Sequence, residues 1–182
     1  MRTLMAPLVL LSLITAGCAG DAAPTSTAPT LTGYDRAAAA SGAVATLTIS
    51  GRCEVTFTPP PFPLPPLVTQ SDAGTCQLSH LGQTAFNGVQ EINFAAGTQR
   101  GERTFTAANG DVLRAVHVGR SAPSGPGLIS FEATLTFVGG TGRFAHATGR
   151  AVSSGVANLI THTTSLSLDG SISYDASDRN GR

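Results

Sequence analysis

Three stretches of this chain alternate apolar and polar residues with a period of two, and that periodicity constrains the fold more than any other feature. From Leu47 to Thr58, Leu47, Ile49, Gly51, Cys53, Val55 and Phe57 share one face and Thr48, Ser50, Arg52, Glu54, Thr56 and Thr58 the other. Leu128 to Val138 repeats the pattern, with Ile129, Phe131, Ala133, Leu135 and Phe137 opposed to Ser130, Glu132, Thr134 and Thr136. Ile160 to Tyr174 carries it further, with Ile160, His162, Thr164, Leu166, Leu168, Gly170, Ile172 and Tyr174 on one face. Successive side chains of a strand point to opposite sides, so such runs predict long antiparallel strands with one face buried. Shorter strands are expected at Val89–Phe94, Glu102–Ala107 and Val112–Gly119, and Cys76 opens a strand that carries Leu78 and His80 on its face. Asn109-Gly110 predicts a tight hairpin of type I′, a turn that needs two residues tolerant of positive φ. Pro59 to Pro66 cannot donate ladder hydrogen bonds and reads as an extended connector of polyproline-II type. No helical periodicity of useful length occurs, so about eight strands with short turns leave an all-β closed barrel or a sandwich.

The glycine-rich segment Phe137–Gly149, FVGGTGRFAHATG, chooses between them. Gly139, Gly140 and Gly142 allow backbone reversals that a Cβ resists, and Phe144 follows as an apolar plug. Gly139-Gly140-Thr141-Gly142-Arg143-Phe144 with the following Ala-x-Ala-Thr-Gly resembles the Gly-Gly-Thr-Gly-x-Phe turn of the dirigent and allene oxide cyclase barrels. It is more similar still to a bacterial group of secreted proteins and lipoproteins with that barrel. Ser79-His80-Leu81-Gly82, Ala108-Asn109-Gly110-Asp111 and Gly170-Ser171-Ile172-Ser173-Tyr174 fit the same group. The resemblance implies an antiparallel closed barrel of about eight strands. It says little about activity, because one fold hosts many functions. The cavity carboxylate of the plant cyclases has no evident counterpart, since Glu54 and Glu132 fall on the polar faces of their strands.

The amino terminus predicts an envelope destination. Met1–Gly17 has one charge, Arg2, an apolar run from Leu4 to Ile14, and small residues before Cys18, which is the form of a cleaved secretory signal. Thr15-Ala16-Gly17-Cys18 resembles the lipobox of bacterial lipoproteins, with Thr15 where Leu is usual; Cys18 would then carry the lipid and anchor the chain to a membrane. An ordinary signal peptide with an incidental cysteine is the alternative, and would leave the protein secreted. By resemblance to Gram-negative sorting signals, Ala19 after the cysteine favours the periplasmic side of the outer membrane. Residues 18–42 are rich in Ala, Pro, Thr, Ser and Gly and read as a flexible tether, residues 43–175 as the barrel domain, and residues 176–182 as a frayed tail. Setting Cys18 aside leaves Cys53 and Cys76, an even pair in an oxidising compartment, and predicts a disulfide between them. Closing that loop stabilises the fold by about 3 kcal/mol in the chain-entropy model.

Candidates for chemistry are few. Eleven basic residues, all arginine, balance eleven acids, which disfavours nucleic acid as a partner because phosphate binding needs a net basic surface. Of the four histidines, His80, His117, His146 and His162, the pattern puts His80 and His162 on apolar faces together with Tyr174, making these three a candidate pocket inside the barrel. A core histidine satisfied by backbone is the plainer account of each. No histidine or cysteine spacing fits a metal site, and no phosphate loop, nucleophile elbow or dinucleotide fingerprint occurs, so no cofactor is expected. Two functions of different class remain: a non-catalytic structural or binding module of the cell envelope, and an isomerase, cyclase or stereochemistry-directing protein resembling allene oxide cyclase and the dirigent proteins, acting on an apolar small molecule. The room inside the barrel discriminates between them.

Overall fold

The computed structural model describes residues 46–175; the signal peptide, Cys18, the tether and the tail expected from the sequence lie outside them. Eight antiparallel strands close into a barrel in chain order: β1 (Thr46–Phe57), β2 (Leu67–Leu78), β3 (Gly82–Asn93), β4 (Thr98–Ala107), β5 (Val112–Gly125), β6 (Leu128–Gly140), β7 (Thr148–Asn158) and β8 (Thr163–Ser173). β8 closes on β1, with Thr46 opposite Ser173 and Thr56 opposite Thr163. Closure leaves no strand edge unpaired, which removes the hazard of edge-to-edge association. Outward positions carry charges along the strands, among them Arg52, Glu54, Glu102, Arg114, Glu132 and Asp169, whereas a barrel embedded in a bilayer needs an apolar outer band.

The alternation works as expected in β1, β6 and the body of β8: Ile49, Cys53, Val55 and Phe57, then Ala133, Leu135 and Phe137, then Leu168 and Ile172 are buried. β8 starts only at Thr163, however, and Ile160, expected on its buried face, is exposed in the preceding turn. Cys53 and Cys76 face one another in the β1–β2 register and are joined as a disulfide inside the barrel.

β2 departs from the expected layout. It starts at Leu67, directly after the proline-rich connector, so Cys76 lies near its end and not at its beginning. Its inward row is Val68, Gln70, Asp72, Gly74, Cys76 and Leu78, and three of these six are too polar or too small to register as an apolar face. β3 likewise begins at Gly82 and β4 at Thr98, earlier than expected, because their inward rows contain Thr84, Gln90, Gln99 and Arg103.

The Asn109-Gly110 hairpin joins β4 to β5, but not through a type I′ turn: Gly110 alone takes positive φ, at 88°. The four-residue loop is held instead by Ala107 N–H donating to the Asp111 carbonyl at 2.9 Å and by Asn109 Oδ1 accepting from Asp111 N–H at 3.2 Å. In the glycine segment, Gly139 and Gly142 adopt φ of 89° and 54°. Added methyl groups at Gly140 and Gly142 would run into the Val112 carbonyl and the Asp111 carboxylate. These contacts let the short 3₁₀ turn η1 (Gly142–Phe144) fold inward and bury Phe144 completely.

Antiparallel order gives the barrel two unlike ends. The β2–β3, β4–β5 and β6–β7 turns gather at one end with the start of β1 and the close of β8. Phe144, Leu81, Leu113, Leu78, Ile172 and Tyr174 pack this end shut. The β1–β2, β3–β4, β5–β6 and β7–β8 connections surround the other end.

Candidate functional site

The interior of the second end is where polar side chains converge. Asp72 on β2, Gly88 on β3 and Arg103 on β4 stand in one cross-strand row. Because Gly88 has no side chain, Arg103 crosses over it and pairs with the Asp72 carboxylate. A methyl group at Gly88 would press on Nη1 of Arg103 and approach its Cδ to 3.0 Å. The neighbouring row supplies Gln70 and Gln90. Arg103 Nη2 donates to Gln90 Oε1 at 2.8 Å, and Gln90 Nε2 donates to Gln70 Oε1 at 3.0 Å and Asp72 Oδ2 at 3.2 Å. The guanidinium also lies over the Phe86 ring, 5.3 Å from its centroid, a favourable cation–π contact.

Burial dominates the electrostatics of this cluster. It pushes the Asp72 carboxyl above the ordinary carboxylate range, against the opposing pull of Arg103 and of the hydrogen bonds from Arg103 and Gln90. It lowers Arg103 from its usual value, with Asp72 pulling the other way. A buried ion pair costs desolvation that its own attraction only partly offsets, so the added amide hydrogen bonds matter for keeping both charges in place.

His117 on β5 extends the row of Gln70 and Gln90 past Gly101. It is 3% exposed, and neither ring nitrogen makes a hydrogen bond of good geometry, although the Gly101 backbone beside it exerts a small upward pull on its pKa. Burial first, and the positive charge of Arg103 second, lower its pKa to about 3, so the imidazole is neutral across the physiological range. Phe86, Arg103, Phe105, Leu135, Ser153 and Leu168 surround it.

Between this polar wall and the mouth lies a cavity lined on its other sides mainly by Val55, Phe57, Ile92, Phe94, Ile129, Phe131, Leu159 and Leu166, with Gln99, Ser121 and Thr164 as further polar members. It is slim, with a cavity volume of about 40 Å³. That is room for a few water-sized groups. Leu135 and Phe137 fill the lumen beyond it, while Phe131 and Leu166 remain half-buried at its wall.

The three residues expected to form a pocket do not converge in the lumen: His80 and Tyr174 meet at the closed end, and His162 lies at the other. His80 is exposed in the β2–β3 turn at φ 66°, with Nε2 2.9 Å from the Thr48 carbonyl oxygen. His162 sits in the β7–β8 turn at φ 55°, edge-on to Phe57 at 5.8 Å. Both take left-handed backbone conformations, which break the alternation that put them on an inward face. Tyr174 is buried at the closed end, 5.0 Å from the Phe144 ring and 6.3 Å from that of His80. The polar wall of Gln70, Asp72, Gln90 and Arg103, and His117 in a small void behind it, went unread because polar residues on an inward face mimic an outward one. Asp72 thus puts a carboxylate inside the lumen, where none was expected. The available signal was the steady outward row Thr69, Ser71, Ala73, Thr75 and Gln77, which marks the odd positions as solvent-facing. Glu54 and Glu132 do lie outward, and Glu54 accepts a hydrogen bond from the Ser165 hydroxyl at 2.6 Å. Among the described residues, no group of three His, Cys, Asp or Glu side chains is placed to hold a metal ion.

No family model, curated protein or solved structure matches the chain.

Proposed function

We propose that the chain is a lipid-anchored protein of the bacterial cell envelope whose barrel is a non-catalytic binding module, seating a narrow apolar group in its half-open lumen. The observation that carries this reading is the form of the cavity: apolar on most sides, slim, and bounded by a polar wall whose charged members are committed to one another. Asp72 and Arg103 are paired and hydrogen-bonded, so neither is free to serve a reacting centre. Apolar pockets with a few placed polar groups are the usual form of small-molecule sites. A void this slim suits the end of an unbranched chain better than a folded, bulky substrate.

The barrel and the Gly139–Phe144 turn support grouping the chain with the bacterial secreted proteins and lipoproteins that resemble the allene oxide cyclase and dirigent barrels. An isomerase or stereochemistry-directing role has one observation in its favour, the buried imidazole of His117 in a small void inward of the cavity. An imidazole whose pKa is about 3 is a weak base at neutral pH, where general-base catalysis works best with a pKa near the operating pH. The binding reading is therefore preferred.

Mass spectrometry of apolar compounds extracted from protein purified out of its native envelope tests it. A stoichiometric apolar compound recovered unchanged is expected; an empty barrel, or a compound converted on incubation, overturns the reading. Cys18→Ser tests the anchor separately: the variant should leave the membrane fraction or keep its signal peptide, and a wild-type chain that takes up no acyl label refutes lipidation.

A further inference from the structure

The connections around the open end of the barrel share a property that the closed end lacks. Residues 58–66, 94–97, 126–127 and 159–162 contain no Asp, Glu, Lys or Arg. The turns of the closed end carry Asp111 and Arg143. Strand faces bear charges freely, Glu91 and Arg100 among them, whereas these four connections carry none of the four charged residue types and have His162 as their one ionisable side chain. The rim is also apolar at its most prominent points. Phe62, at the tip of the proline-rich β1–β2 connection, is 98% exposed, and Ile160 in the β7–β8 turn is 73% exposed. Leu64 and Leu67 are exposed beside Phe62. Inside the rim, Phe94 and Leu159 continue the apolar surface into the cavity.

We infer that this end of the barrel docks on a lipid bilayer, with Phe62 and Ile160 entering the acyl region and the mouth of the cavity held against the membrane. Exposed apolar side chains on an uncharged rim match the bilayer interior, which rejects formal charge, and large exposed apolar residues grouped at one place mark interaction sites. Prolines on both sides of Phe62 restrict the connection that presents it, which reduces the ordering cost of insertion. A membrane is favoured over a soluble protein partner because the four connections offer no Asp, Glu, Lys or Arg to fix the register of a protein partner, while a bilayer asks only for apolar side chains free of formal charge.

The amino-terminal segment is long enough to permit this orientation. The chain enters the barrel at the closed end, at Thr46. Covalent geometry allows the 28 residues from Cys18 to Thr46 to span at most about 90 to 100 Å, against roughly 40 Å for the twelve-residue strand β1. A chain anchored at Cys18 can therefore present the opposite end of the barrel to the same membrane. The docking does not depend on that anchor or on what the lumen holds.

The chain has no tryptophan, so a single introduced indole reports depth. Phe62→Trp and, at the closed end, His146→Trp are each made in the full chain and placed on phosphatidylcholine vesicles, with and without brominated acyl chains. Phe62→Trp should shift its emission to the blue and lose at least about half its intensity to the brominated lipid. His146→Trp should do neither. Adding Leu64→Ser and Ile160→Ser to Phe62→Trp should weaken that quenching several-fold, since each removes an apolar side chain from the insertion face. Because the rim has no Asp, Glu, Lys or Arg, the quenching should persist in about 1 M salt and should not require anionic lipid. All substituted positions are exposed, so circular dichroism should match wild type. An unquenched Phe62→Trp, whether the chain floats with the vesicles or stays free, overturns the inference and leaves the connection as a ligand for a protein groove; equal quenching at His146→Trp overturns it as well. Insertion by a chain whose extract holds no apolar compound would refute only the lumen reading, and a bound compound without insertion only the docking.

Discussion

Replacing His117 with leucine should remove an acid sensitivity built into the barrel wall. In the unfolded chain a histidine titrates near its ordinary value of 6.5, while in the folded barrel burial and Arg103 hold His117 at about 3. Between those values the unfolded state binds the proton and the folded state does not, so stability falls as pH falls. The contribution is fully present above pH 6.5 and is lost progressively down to about pH 3. At 1.36 kcal/mol per pH unit, its loss is about 2 kcal/mol at pH 5 and about 4 kcal/mol at pH 3, where the folded histidine is itself half protonated. Small domains are stable by about 5–15 kcal/mol in total, so the effect at pH 5 is readily measured. Asp72 acts in the opposite sense: its raised pKa gives a contribution that is present below its ordinary 3.8 and declines as pH rises through the folded value. The difference between wild type and His117→Leu isolates the histidine. Leucine matches the surroundings of Phe86, Leu135 and Leu168 and leaves no unpaired ring nitrogens. Urea unfolding at pH 5, 6, 7 and 8, at fixed salt and with unchanged m-values, should show the variant gaining about 2 kcal/mol on wild type between pH 8 and pH 5. A pH-independent difference, or an NMR titration of His117 near its ordinary value, would refute the reasoning.

Gly88→Ala should destabilise the barrel by about 1–3 kcal/mol, because its methyl group pushes Arg103 off Asp72 and leaves two buried charges poorly paired. Thermal unfolding of Gly88→Ala alone and combined with Arg103→Met checks this, since the methyl group should cost less once the guanidinium is gone. Phe144→Ala should cost about 3–5 kcal/mol as a fully buried aromatic at the closed end, whereas His146→Ala, two residues on and exposed, should leave the denaturant midpoint unchanged. Denatured but unreduced protein should show no free thiol from Cys53 or Cys76, and reduction should lower stability by about 3 kcal/mol; two free thiols would contradict the cross-strand bridge.

The sequence by itself determined the class of fold, and for a simple reason. In β1, β6 and β8 the inward rows are apolar and the outward rows polar, so a period of two is written directly in residue type. The glycines of the Gly139–Gly142 turn and the count of cysteines were equally legible, because they depend on local backbone geometry and on compartment. The layout of the candidate site was not. Gln70, Asp72, Gln90 and Arg103 point inward on strands whose patterning resembles a solvated face, and they are tolerated there because they satisfy one another across β2, β3 and β4. That satisfaction depends on cross-strand register and on the bare backbone at Gly88, neither of which adjacent residues can express. His80 and His162 show the reverse: each continues an apolar row in sequence, yet a left-handed backbone at that residue turns the chain out of the strand. The two unlike ends of the barrel follow from antiparallel closure, which sends alternate connections to opposite ends. Only tertiary structure brings the β1–β2 and β7–β8 connections together at the mouth, since residues 58–66 and 159–162 are about a hundred positions apart in the chain and become neighbours only because β8 closes against β1.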